Sequence, residues 1–143
     1  SGRPINAAAG WDAPGTGSFG DPRINLTGQK PYLPKEQRNT NAWLNVSAFA
    51  YVPGGTFGNA QRNVLIGPGQ LTWDFSALKN FRIIEGHQLQ FRFEAFNFLN
   101  HPVWGNYGAS WGRNTTTPDA GFGRIRSTAY SMRQLQFGLK YNF

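Results

Sequence analysis

The sequence predicts an all-β protein: antiparallel hairpins behind a long irregular Gly/Pro-rich N-terminal arm, in a sheet that neighbouring copies complete. Three observations carry that expectation. The closing stretch Arg133–Phe143 alternates strictly, with Leu135, Phe137, Leu139, Tyr141 and Phe143 on one side and Gln134, Gln136, Gly138, Lys140 and Asn142 on the other. Side chains on a strand change face at every residue, so this is a strand with one apolar and one polar side. A second alternating run folds back on itself around Glu85-Gly86. Finally, 18 Gly and 9 Pro in 143 residues favour turns, and no window repeats apolar residues at helical spacing.

Residues 1–60 read as an irregular, aromatic-anchored arm, and residues 61–143 as the part that carries the antiparallel strands. Pro4, Pro14, Pro22, Pro31 and Pro34 punctuate residues 1–42, with Gly10, Gly15, Gly17, Gly20 and Gly28 between them. Proline lacks the N–H that a ladder requires and glycine has nothing to pack, so long paired strands are not expected there. Trp11, Phe19, Tyr32 and Leu33 are anchors that a plain linker would lack, which points to an ordered arm lying against another surface. Residues 43–70 hold Trp43, Phe49, Tyr51 and Phe57 among glycines that permit tight bends, and Gly67-Pro68-Gly69 breaks the chain before the first long strand.

That strand is predicted from Leu71 to Ile84. Leu71, Trp73, Phe75, Ala77, Phe81 and Ile83 share one face, interrupted by Lys79, opposite Thr72, Asp74, Ser76, Asn80 and Arg82. Glu85-Gly86 makes a tight turn. The return strand, from His87 to near Asn97, sets Leu89, Phe91, Phe93 and Ala95 against Gln88, Gln90, Arg92 and Glu94. Pro102 ends that run, and residues 103–121 form a loop beyond the usual hairpin length, so either functional or draped on a surface. A short strand over Phe122–Ser127 precedes the closing one.

Chemistry is not expected. The chain has no Cys, so neither a disulfide framework nor a thiolate metal site can form. His87 and His101 are its two imidazoles, without companions at ligand spacing, and His87 reads as a turn neighbour. Asp74 and Glu94 suit cross-strand pairing with Arg82 and Arg92 better than acid–base work. The Gly-rich stretches at 14–20 and 53–58 lack the spacing and the strand-to-helix context of a phosphate cradle. Catalytic, cofactor-binding and metal residues are therefore expected to be none, the cofactor none, and the protein not an enzyme. Lys and Arg (14) outnumber Asp and Glu (7), a net charge of +7, yet the basic residues are scattered, which argues against nucleic acid. No apolar run approaches the ~20 residues of a spanning helix, a limit that leaves a spanning barrel open. The chain opens at Ser1 without Met or signal peptide, and is expected to be a processed product, a trimmed form or a piece of something longer.

The stretches Trp43-Leu-Asn-Val-Ser-Ala-Phe49, Gly55-Thr-Phe-Gly-Asn59, Arg62-Asn63, Gly67-Pro-Gly69, Asp74, Lys79-Asn-Phe81 and Leu89-Gln-Phe-Arg92 form a set. Glu94, Phe96-Asn97, Asn100-His-Pro102, Phe122-Gly123, Arg133-Gln134 and Leu139–Phe143 continue it. Over residues 43–143 the chain thereby resembles the C-terminal end of TonB-dependent receptor-like (Oar-type) outer-membrane proteins. A terminal Phe143 on an alternating strand is similar to the closing strand of such barrels. The resemblance implies part of the wall of a ~22-stranded barrel with a plugged lumen. Ile66 stands where a basic residue is expected in such relatives. Their ligand-binding residues lie largely in regions without counterpart here, so none is carried over.

Two long hairpin strands, one closing strand and one or two short ones cannot close a barrel, since bacterial barrels need at least eight. Open edges expose unpaired N–H and C=O groups and serve as templates for another chain. The first expectation is therefore a structural subunit that self-assembles, edge to edge and by its arms, into an extracellular filament or tube, with copies of itself as partners. The alternative is the C-terminal strands of an intact outer-membrane TonB-dependent transporter, with the outer membrane or its lipopolysaccharide as partner. A secreted carbohydrate-binding sandwich, suggested by five exposed-looking Trp and open to a glycan-binding screen with Trp104 or Trp111 replaced, is a third reading. The location expected is the cell surface or outer membrane of a Gram-negative bacterium, or outside it.

Overall fold

A computed structural model describes residues 2–17, 22–113 and 116–143. The anchor Phe19, and Gly20 with it, lie outside the described residues. The structure is mostly β, with antiparallel hairpins and small sheets, no α-helix among the described residues and no closed barrel. The chain forms two compact units, one of residues 1–69 with 104–127, the other of residues 70–103 with 128–143. This division is discontinuous, whereas the sequence suggested a linear boundary after residue 60.

The first unit is held by very short ladders, as its prolines and glycines dictate. Strand β1 (Pro4–Ile5) pairs antiparallel with β4 (Leu65–Ile66), and β2 (Asn25–Leu26) pairs antiparallel with β3 (Phe49–Ala50). Two single turns of 3-10 helix, Lys35–Gln37 and Val46–Ala48, make the bends, the second capped by the Asn45 side chain accepting from the Ser47 N–H. Isolated bridges do the rest, joining Ala8 to Arg23 and Ser110, and Tyr107 to Ile125. Close approach of backbones takes the place of long ladders. A Cβ on Gly58 would lie 2.0 Å from the Arg23 carbonyl oxygen, and one on Gly108 would lie 2.3 Å from that of Gly121. Neither gap could accept any other residue.

Packing around these bridges gives the unit its own core. Ile24, Leu44, Phe49, Leu65, Trp111 and Phe122 are buried together. Phe122 sits edge-on to both Phe49 (5.0 Å, 81°) and Trp111 (5.3 Å, 69°), the arrangement aromatic quadrupoles favour. Ala7, Ala8, Ala9 and Ala13 are buried, and Trp11 stacks on Tyr51 at 5.9 Å with the rings 4° from parallel. The described part of the expected arm thus spends its anchors inside its own unit instead of reaching out from it. The loop expected over 103–121 delivers Tyr107 and Trp111 to this core, and no strand forms over 122–127, where single bridges at Phe122 and Ile125 replace it.

The second unit is a three-stranded antiparallel sheet in the order β5-β6-β7, of Phe75–Ile84, His87–Phe96 and Gln134–Asn142. Residues 71–74, expected inside the first long strand, stay outside the ladder. The register Phe75↔Ala95 to Ile84↔His87 slips near Ile83, a bulge that increases local twist. Glu85-Gly86 turns the chain, with Gly86 at φ +79° and nothing within 4 Å of where a Cβ would stand. Only backbone strain would oppose a side chain there. Gly86→Val is expected to cost at least about 1–2 kcal/mol, and Gly86→Asn distinctly less, because Asn tolerates the left-handed region. Denaturant unfolding of the two variants checks the ranking.

Candidate functional site

The ladder registers sort the sheet's side chains into two faces. Across β5, β6 and β7, one face carries the rows Phe75–Ala95–Leu135, Ala77–Phe93–Phe137, Lys79–Phe91–Leu139 and Phe81–Leu89–Tyr141. The other carries Ser76–Glu94–Gln136, Leu78–Arg92–Gly138, Asn80–Gln90–Lys140 and Arg82–Gln88–Asn142. Alternation in the sequence becomes one apolar and one polar surface, with Leu78 and Phe96 on the polar face and Lys79 on the apolar one out of keeping. Aromatic contacts run across the apolar face, from Phe75 to Phe93 (6.2 Å), Phe93 to Phe137 (5.2 Å) and Phe91 to Phe137 (6.3 Å).

Most of this apolar face is exposed. Phe137 is 66% exposed and Leu139 70%, values out of place for a sheet with a soluble core against it. A contiguous patch of this size needs lipid or protein on it. The outer edges of β5 and β7 are also open, since among the described residues each strand pairs on one side alone. In hydrocarbon, each unpaired backbone group costs several kcal/mol, so both edges require partner strands.

Strand length fits a membrane. The strands have 10, 10 and 9 residues, against about 9–11 for a strand crossing a bilayer at roughly 45°. Ten residues at ~3.4 Å, so tilted, rise roughly 24 Å, the height of the apolar band on an outer-membrane barrel. The described residues include no helix long and apolar enough to cross, a fact that does not bear on crossing by strands.

At the sheet end opposite Gly86, one residue gathers the entering and leaving segments. Asn97, 5% exposed at φ +49°, donates its backbone N–H to Asp74 Oδ1 (2.9 Å) and its Nδ2 to the carbonyls of His101 (3.0 Å) and Ser131 (3.4 Å). Its Oδ1 accepts from the His101 N–H at 3.1 Å. Asn100 Oδ1 adds a bond from the Arg133 N–H at 3.1 Å. Replacing Asn97 by Ala orphans several of these groups and is expected to cost about 2–3 kcal/mol, read as a lowered denaturant midpoint. The Phe96-Asn97 and Asn100-His-Pro102 motifs contained this knot, but nothing in their spacing revealed the role.

The residues weighed for chemistry are dispersed. Asp74 serves Asn97 and is not ion-paired with Arg82, contrary to the cross-strand expectation. Glu94 meets Arg92 at 4.0 Å, two places away along the same strand instead of across the ladder. His87 begins β6, with Nδ1 2.6 Å from the Tyr141 hydroxyl and the two rings stacked at 5.7 Å. His101 takes part through its backbone. No group of three or more His, Cys, Asp or Glu is clustered among the described residues. Of the five tryptophans expected to be exposed, Trp111 is 4% exposed and Trp104 packs against the same core, whereas Trp73 is 61% exposed.

Two faces, spanning-length strands and open edges are the features a strand of barrel wall requires. The family model described as outer membrane beta barrel domain matches residues 1–136, and the chain belongs to that family. Membership implies the outer membrane as its location. No curated protein and no solved structure matches the chain at a significant level.

Proposed function

We propose that this chain supplies wall strands at the C-terminal side of a TonB-dependent receptor-like transporter barrel, with β5 and β7 each completed by further barrel strands. The observation that carries the reading is the match between sheet and bilayer: spanning length, one apolar face, one polar face, two unsatisfied edges. The apolar face meets lipid and the polar face, with Arg82, Arg92 and Lys140, meets the lumen. Outer-membrane barrels have short periplasmic turns and long extracellular loops. The Glu85-Gly86 turn is then periplasmic, and the long connection over residues 97–133 is extracellular. Because Gln88 pairs with Asn142, β7 also ends on the periplasmic side. The role is structural and non-enzymatic.

A filament of copies joined edge to edge would satisfy the same edges. Its other motive, aromatic arms reaching a neighbour, is weakened by the burial of the alanines and the engagement of Trp11 within their own unit. Detergent dependence separates the two. The barrel-wall reading expects β-structure and dispersed particles in micelles, with collapse or aggregation when detergent is withdrawn. Tubes or rings in negative-stain micrographs of detergent-free chain would overturn it in favour of the polymer.

A further inference from the structure

The first unit holds a cleft that owes nothing to the sheet. It has a volume of about 590 Å³ and is lined by the cations Lys30 and Arg38, by Pro31, Leu33 and Pro34, and by Tyr32 and Asn45. Its walls are fixed. The Tyr32 hydroxyl accepts from the Ile66 N–H, lies 3.2 Å from the Ile66 carbonyl oxygen and 3.4 Å from the Tyr107 hydroxyl. Tyr107 donates to that same carbonyl at 2.9 Å. Burial, and then the Tyr32 hydroxyl, push the Tyr107 phenol far above its ordinary range, so Tyr107 keeps its proton. Anchored in this way, the Tyr32 ring carries the Arg38 guanidinium 5.0 Å from its centroid, while Arg38 Nε donates to the Leu33 carbonyl at 2.6 Å.

The hydrogen-bonding capacity left over in the cleft is cationic. Asn45 is committed, its Nδ2 to Gln29 Oε1 and the Lys30 carbonyl and its Oδ1 to the Ser47 N–H. The Lys30 ammonium and the terminal Arg38 nitrogens have no partner among the described residues. No carboxylate lines the cleft. The nearest acid in sequence, Glu36, is exposed on the 3-10 turn beside Lys35 and is not part of the lining. A volume in the range of small-molecule sites, apolar lining residues and two unpaired cations together describe one kind of occupant.

We propose that this cleft binds a small organic anion, a carboxylate joined to a flat apolar body, with the carboxylate on Arg38 and Lys30 and the body on Pro31, Leu33 and Pro34. The pre-set guanidinium makes Arg38 the principal contact, since its Nε bond and its place on Tyr32 leave the two terminal nitrogens as a fixed fork. Lys30, on a flexible stem, adds charge more than geometry. The proposal does not depend on the barrel reading, because every residue it uses lies in the first unit.

The test is calorimetric titration of the full chain in micelles with 1-naphthoate, against 1-naphthalenemethanol as a neutral isostere and empty micelles as blank. Saturable naphthoate binding at one site is expected, with the alcohol at least about tenfold weaker, as loss of one charge-assisted contact predicts. Arg38→Gln is expected to weaken naphthoate about tenfold and Lys30→Gln about threefold, with Arg62→Gln, a cation outside the cleft, unchanged. Should Arg38→Gln disturb the fold by circular dichroism, Lys30→Gln decides alone, since its side chain bonds nothing. Equal binding of acid and alcohol, an unchanged affinity in natively folded cleft variants, or binding of phosphatidylglycerol vesicles without any of naphthoate would each overturn the proposal.

Discussion

Arginine in place of Phe91 is expected to destabilise the bilayer-folded sheet by about 2–4 kcal/mol, the cost of a cation at the midplane of a barrel's lipid face. Phe91 lies in the central row of the apolar face, paired with Lys79 and Leu139. Two companion variants make the result diagnostic. Phe81→Arg, one row nearer the Gly86 turn and so about 5 Å closer to the interface, is expected to cost distinctly less, because the penalty for lipid-facing charge falls away from the midplane. Gln90→Arg sits one residue away on the polar face and is expected to change stability little. Denaturant unfolding in phospholipid vesicles reads all three. A dependence on depth is what lipid produces. A second sheet packed on the same face would penalise Phe81→Arg and Phe91→Arg alike, and that outcome would remove the bilayer from the explanation.

The opposite sign is expected at Lys79. It stands in the same central row, the one cation on an otherwise apolar surface. Its ammonium must bend along the strand toward water or draw a defect into the lipid. Lys79→Leu is therefore expected to stabilise the vesicle-folded sheet by about 2–3 kcal/mol. A fall in stability on the same measurement would mean that the ammonium has an acidic partner outside this chain, and that the β5 side of the face meets protein.

What the sequence disclosed follows from the ranges over which its signals act. The strands β5, β6 and β7 were legible because period-two alternation persists for nine or ten residues, and a repeated local signal outweighs its exceptions. Gly86 was legible because a tight turn between such strands needs positive φ there. The 71–74 segment was misjudged because Leu71 and Trp73 continue the alternation while the hydrogen bonds from Asn97 and Phe98 hold this segment outside the ladder. The first unit was opaque for a different reason. Its core is assembled from single residues such as Ile24, Leu65 and Trp111, far apart in the chain and without period. Proline and glycine there suggest an arm, yet they permit the backbone contacts at Gly58 and Gly108 on which the core depends. The cleft is hidden likewise, since Tyr32 reads as an anchor while nothing in the sequence marks Ile66 and Tyr107 as its partners.

The discontinuity of the first unit carries a consequence for biogenesis. Residues 1–69 cannot finish burying Phe49 or Leu65 until the segment holding Trp111, Phe122 and Ile125 has been synthesised, and β5 and β6 are made in between. A nascent polypeptide released before Ile125 would present greasy, half-satisfied surface to whatever holds it. Slow, non-local closure of this kind favours chaperone custody during export. Ribosome-stalled intermediates ending before and after residues 104–127 should accordingly differ sharply in protease resistance.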